Sequence, residues 1–278
     1  MVKIRIFIDS SKLEEIRRAY QYGLLDGVTT NPSLIRAAVE EEKKSGGNID
    51  IKEYIKNILT LAKGLPVSLE VISTESDVMI KEGRKLFKMF NPVAGNVYIK
   101  IPVNPSFEKD SKTNFDGLKA IKTLSSENIP INCTLIFTPE QALLAAKAGA
   151  TFVSPFAGRV DDYLRSQNNI TFGKNDYFPA IGKEKDGDVL EDNGIVSGVD
   201  LVAQIREIFD NYNITKTKVL ASSMRNARQV REVALAGADI ATLPLVVIEQ
   251  LLSHYKTREG MQKFTSDVVP EYESLFKD

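Results

Sequence analysis

Residues Asn96–Val103 read NVYIKIPV, a short β-branched and apolar run closed by proline, which is the pattern of a buried strand ending in a loop. Side chains alternate across a strand, so Asn96, Tyr98 and Lys100 share one face while Val97, Ile99 and Ile101 cover the other. A lysine in such a strand is most often paired or snorkelling. The sharper alternative is an amine held at the mouth of a parallel barrel, where it could form a Schiff base with a carbonyl substrate.

Seven more runs of the same kind surround it: IRIFID from Ile4, GVTTN from Gly27, VSLEVI from Val67, INCTLIF from Ile131, FVSPF from Phe152, KVLASS from Lys218 and IATLP from Ile240. Between them lie stretches of helical period, most of which stop at Gly or Asn. SKLEEIRRAYQYG is one, with Ser10 or Ser11 as the expected N-cap and Gly23 as the stop. Eight β/α units predict an α/β protein, a single (β/α)8 TIM barrel spanning residues 1–278. An open doubly wound sheet is the alternative, but no GxGxxG opens a helix after the first strand. Two stretches break the rhythm: a charged link at 40–50, expected in solvent, and a long loop at about 163–198, expected on the strand-exit face. An additional C-terminal helix is expected at about 257–276, packed on the barrel or on a neighbouring subunit of a homo-oligomer.

Composition narrows the chemistry. Among 278 residues, 36 Lys and Arg balance 37 Asp and Glu, so no charge excess points to nucleic acid. MVKIRIFID reads as a first strand rather than a secretory signal, and no apolar run reaches the length of a membrane span, so a cytoplasmic protein is expected. Cys133 and His254 are the single cysteine and histidine, which excludes Ser-His-Asp triads, HExxH sites and thiolate metal clusters within the chain. Acid–base work falls to Asp, Glu, Lys, Tyr and water.

Parity identifies a candidate site. Asp9, Asn31, Glu70, Lys100, Asn132 with Thr134, Ser154 with Phe156, and Ser223 all fall near strand ends on the face expected to point into the barrel, with Arg225 just beyond. One polar residue at a strand end is ordinary. Seven in succession predict a site, because buried polar groups otherwise need individual compensation. Attack by lysine on a ketone requires the neutral amine, whereas a free lysine titrates near 10.4. Asp9 and Glu70, if both ionised, oppose that requirement. Either one carboxyl is protonated or screened by water, or Lys100 is only the structural partner of Glu70. Arg159 and Arg225 offer forked donors suited to phosphate.

In FIDS from Phe7, DGVTTNPSLI from Asp26, VSLEVIS from Val67, NVYIKIPV, INCTLIF, AGATFVSPFAGRVDD from Ala148, ASSMRN from Ala221 and AGADIATLP from Ala236, the chain resembles the transaldolase family, in particular its short subfamily that includes the fructose 6-phosphate aldolases. The resemblance implies that Lys100 forms the Schiff base, Asp9 exchanges the substrate hydroxyl proton, and Glu70 with Thr134 positions water. It further implies that Asn31, Asn132 and Ser154 hold the dihydroxyacetone unit, and that Ser223, Arg225 and Arg159 hold the phosphate. The implied reaction is the pentose phosphate pathway transfer of a three-carbon unit between sugar phosphates, with no metal and no organic cofactor. Glu70 and Phe156 match the transaldolases, where the aldolases typically carry Gln and Tyr. Release of free dihydroxyacetone by an aldolase is the second reading. A non-catalytic phosphosugar-binding barrel is the third.

Overall fold

The computed structural model describes residues 4–44 and 49–277. Its strands are β1 Arg5–Asp9, β2 Gly27–Thr29, β3 Val67–Glu70, β4 Val97–Pro102, β5 Ile131–Ile136, β6 Phe152–Pro155, β7 Glu184–Lys185, β8 Asp188–Val189, β9 Lys218–Ala221 and β10 Ile240–Leu243. Eight of them close a parallel barrel in the order β1-β10-β9-β6-β5-β4-β3-β2, while β7 and β8 form a separate antiparallel pair. Each of the eight expected runs is a barrel strand, and the helical crossovers that parallel neighbours require lie between them.

Alternation divides the barrel's apolar residues into two clusters. Ile8, Val28, Leu69, Ile99, Ile101, Cys133, Val153, Val219 and Ala241 face outward and pack with the helices. Phe7, Phe152, Leu220 and Ile240 face inward and, with Tyr98, plug the lower barrel. Tyr98 stacks on Phe152 at 4.8 Å, and the Arg5 guanidinium lies over the rings of Phe7 and Phe152 at 5.8 and 5.5 Å. The plug needs Gly27 as it is: a Cβ there would sit 2.4 Å from the Phe7 ring. Arg5 is the charged residue of the lower end, held over these rings; the other inward charged residues, Asp9, Glu70 and Lys100, lie toward the strand-exit end.

Local rules account for the helix boundaries. The helix Pro139–Ala148 has a capping box between Thr138 and Gln141, proline at its first turn, and Gly149 in the left-handed conformation at its end. At the first helix, Leu13–Gln21, the expected serine cap does not form; Lys12 holds that position without a side-chain bond. Ser10 instead accepts from the Lys12 N–H at 3.1 Å and donates to Glu15 at 2.7 Å. The charged link expected in solvent at 40–50 is helical as far as Lys44 within Pro32–Lys44, and its residues 45–48 lie outside the described residues.

Two further boundaries differ from expectation. The helix Ala157–Gln167 includes Tyr163, so the irregular segment runs over 168–197. The C-terminal helix ends at Ser266, and Pro270 starts a separate short helix, Pro270–Glu273, because proline cannot continue the hydrogen-bond ladder. This C-terminal arm is exposed and does not bury itself on its own barrel: Met261, Phe264, Leu275 and Phe276 are all open to solvent. No helix among the described residues is long and apolar enough to cross a membrane.

Candidate active site

Register explains why the polar residues meet. Glu70 pairs with Lys100 and Lys100 with Asn132 across β3, β4 and β5, so all three point inward at one height. Asp9 pairs with Thr29 and Thr29 with Ser68, a row that reaches β3 two residues before Glu70. The site is thus two staggered rows rather than one level, as barrel shear requires. Asn96, one residue before β4, leaves the inward face: its amide donates to the carbonyls of Leu59, Ala62 and Leu65.

Above the aromatic plug is a cavity of about 850 Å³. Asp9, Asn31, Glu70, Lys100, Thr134, Ser154, Phe156, Arg159, Ser223 and Arg225 all line it. Asn132 is fully buried beneath, donating to Ser68 Oγ at 3.0 Å and accepting from Ser154 Oγ at 2.7 Å. Lys100 is 5% exposed; its Nζ lies 3.1 Å from Glu70 Oε2 and donates to the Thr30 carbonyl at 3.1 Å. A buried ammonium with a carboxylate and a carbonyl is satisfied as an ion pair, so the pair alone does not distinguish structure from catalysis. Its position on the floor of a polar cavity adds the chemical possibility.

Asp9 has a different setting. Thr29 Oγ1 donates to Asp9 Oδ1 at 2.7 Å, and because that hydroxyl has one proton, Thr242 must donate to Thr29 across their 2.5 Å contact. Burial raises the Asp9 pKa above its ordinary 3.8, opposed by the positive charge of Lys100, the Thr29 hydrogen bond and Arg159. A carboxyl raised in this way is a better proton acceptor than a free one. Thr134 Oγ1 is buried and makes no hydrogen bond within the described residues. Asn31 Oδ1 caps the helix Pro32–Lys44 by accepting from Leu34 N–H at 2.9 Å, which leaves its amide for the cavity.

The arginine end is built from close approach. Arg159 lies over the Phe156 ring at 5.2 Å, and Phe156 is bridged to Ser222. Arg225 is ion-paired with Asp162, and its backbone N–H donates to Gln229 Oε1 at 2.8 Å. Parity turns Ser222 inward, two residues after Leu220, rather than the expected Ser223, which reaches the cavity through a left-handed backbone at φ 62°; Leu135 has φ 58° where β5 slips register against β6. Left-handed backbone at a serine and a leucine lining one cavity is strain concentrated at a site.

Sequence reasoning missed Thr29, Thr242, Ser68 and Ser222, whose inward parity was available in the strands. It also missed Lys174 and Asn175, which come to the cavity from the irregular segment and carry no periodic signal. Among the described residues, no cluster of His, Cys, Asp and Glu is arranged to hold a metal ion.

Comparison with known proteins agrees with this architecture. Residues 6–277 match the model of the Transaldolase/Fructose-6-phosphate aldolase family. The chain is 40% identical over 264 residues to a probable transaldolase of Thermoplasma volcanium, covering 95% of each chain. It is 41% identical over 270 residues to one of Aquifex aeolicus, covering 96% of this chain and 99% of the other. Against a probable transaldolase of Chlorobium phaeobacteroides, identity is 42% over 266 residues, or 96% of each chain. With nearly its whole length matched, this (β/α)8 barrel belongs to the transaldolase/fructose-6-phosphate aldolase family.

Proposed function

We propose that this protein is a transaldolase working through a Schiff base on Lys100. The observation that carries the reading is the buried Lys100 amine beside Glu70 on the floor of a cavity that also holds Asp9. In this scheme the Lys100 amine adds to the ketose carbonyl and water leaves, giving the imine. Asp9 accepts the proton of the hydroxyl on the far side of the carbon–carbon bond as that bond breaks, releasing an aldose phosphate. The three-carbon enamine then adds to an acceptor aldose phosphate, Asp9 returns the proton, and water hydrolyses the new imine.

Glu70 and the unpaired Thr134 hydroxyl suit the handling of that water. Asn31, Asn132 and Ser154 hold the dihydroxyacetone hydroxyls, and Arg159, Ser223 and Arg225 hold the phosphate. Phe156 brings no hydroxyl near the imine, which favours transfer over release of free dihydroxyacetone. Sedoheptulose 7-phosphate and fructose 6-phosphate are the donors of this reading, within the pentose phosphate pathway and without a cofactor. A cytoplasmic homo-oligomer is its setting, the exposed apolar C-terminal arm being the feature that supports assembly.

Borohydride reduction in the presence of fructose 6-phosphate should leave a stable adduct on Lys100, read by peptide mass analysis. Lys100→Met should lose the adduct and at least about a thousandfold in turnover. Undiminished turnover in that variant would remove the mechanism.

A further inference from the structure

Within the segment 168–197, the turn that carries Lys174 and Asn175 is anchored at the cavity. Arg165, itself 3% exposed, is sandwiched between Phe172 and Phe178 with its guanidinium 4.9 and 5.0 Å from the ring centres. Its Nη2 donates to the Asp176 carbonyl at 2.8 Å. Asp176 in turn closes a tight turn around Lys174 and Asn175: its Oδ2 accepts from Gly173 N–H at 2.7 Å, and its N–H donates to the Gly173 carbonyl at 3.0 Å. On the opposite side Asn226 Nδ2 donates to the Asn175 carbonyl at 3.2 Å. Tyr177 adds a hydrogen bond to Glu232 at 2.7 Å. The turn is therefore fastened to the loop that carries Ser223 and Arg225, and Lys174 lines the same cavity as both.

Charge balance gives that lysine a task. Of the cations around the cavity, Lys100 is paired with Glu70, Lys12 with Glu41 and Arg225 with Asp162. Arg159 and Lys174 line the cavity and form no ion pair with a carboxylate among the described residues. A phosphate monoester brings a charge of about −1.5 to −2 at neutral pH, which one uncompensated cation does not match. We infer that Lys174 is a specificity-determining residue that, with Arg159, binds the phosphate of the sugar phosphate. This inference rests on the phosphate end assigned above. The anchored turn fixes the backbone from which the exposed Lys174 side chain reaches the cavity, reducing the loop entropy lost on binding.

The test uses the full-length protein with Lys174→Ala and Lys174→Arg. Inorganic phosphate binding is measured by calorimetry, and KM and kcat are measured with fructose 6-phosphate. Lys174→Ala should weaken phosphate binding and raise KM about five- to tenfold with kcat within about twofold, and Lys174→Arg should restore most of both. Phosphate affinity within about twofold of the parent in the alanine variant overturns the inference, as does a fall in kcat with KM unchanged. Calorimetry keeps the two readings apart: if the parent protein binds phosphate but turns nothing over, the aldol chemistry fails and the lysine's role is still decided.

Discussion

Replacing Asp161 with asparagine separates stability from function in a way the structure lets one calculate. Asp161 is 2% exposed and accepts from Gly198 N–H on Oδ1 and from Gln229 Nε2 on Oδ2, both at 2.7 Å. Gln229 Oε1 accepts from Arg225 N–H, so a fixed backbone donor stands at each end of the chain of bonds. All three bonds form only when Asp161 accepts twice. Burial nevertheless pushes its carboxyl up to about 6, helped by Asp162 and opposed by Gly198, Arg165 and Gln229. With a folded value near 6 and an ordinary one of 3.8, the unfolded chain loses its proton first as pH rises. The stability this group lends is complete below about 3.8 and is lost as pH rises to about 6. The gap corresponds to about 3 kcal/mol, of which about 2 falls between about pH 4.5 and about pH 7.5.

Asparagine mimics the protonated acid, with one accepting and one donating side. Asp161→Asn should therefore be more stable than the parent by about 2–3 kcal/mol at about pH 7.5, and by about 1 kcal/mol or less at about pH 4.5. Its donating side makes Gln229 turn over, as protonation of Asp161 also would, and takes the acceptor from Arg225 N–H; the backbone that presents Arg225 to the cavity is thereby loosened, and KM for a sugar phosphate should rise severalfold. Urea midpoints at the two pH values, with KM measured in parallel, read both effects. A variant less stable than the parent by more than about 1 kcal/mol at neutral pH would refute the reasoning, since the two hydrogen bonds would then outweigh the burial.

Two other perturbations follow from close contacts. Thr29→Val removes a hydrogen bond that holds the Asp9 carboxyl down against burial, so the acid limb of the kcat–pH profile should move to higher pH, with turnover at about pH 5 falling severalfold more than at about pH 8; superimposable profiles would separate Asp9 from the proton transfer. Gly158→Ala would place a Cβ 2.0 Å from the Ser223 carbonyl and 2.7 Å from Arg225 Nε. Because backbone has to give way, it should lose about 3 kcal/mol or more in thermal or urea unfolding, and a loss under about 1 kcal/mol would show that the approach is loose.

The strands and the inward polar residues were legible because a period of two leaves a direct trace: once NVYIKIPV is taken as a strand, Lys100 has one face to occupy. The same rule could have found Thr29 and Thr242, but threonine is also a favoured strand former, so it reads as packing until its hydroxyl is seen on Asp9. The stagger between the Asp9 and Glu70 rows depends on barrel shear, a property of closure that no single strand encodes. The turn presenting Lys174 was out of reach for another reason. Its supports are Arg165 between two phenylalanines and one carboxylate on a backbone N–H, contacts with no period. Pro270 was visible in sequence and marks the break in the C-terminal arm; the apolar spacing around it outweighed the proline in the reading of one continuous helix.

The seam between β1 and β10 joins the two ends of the barrel. Arg5 pairs with Ile240 and Ile8 with Leu243, contacts between opposite ends of the barrel sequence and the slowest kind to form. Until β10 arrives, one edge of β1 stays open, and Thr29 lacks the Thr242 hydroxyl that completes the relay to Asp9. With the seam open, a pairing of Lys100 with Glu70 across β3 and β4 needs nothing from β10, whereas the hydrogen bonds around Asp9 do. A ligand that requires the whole cavity binds only chains whose seam has shut, and by mass action it holds that seam closed.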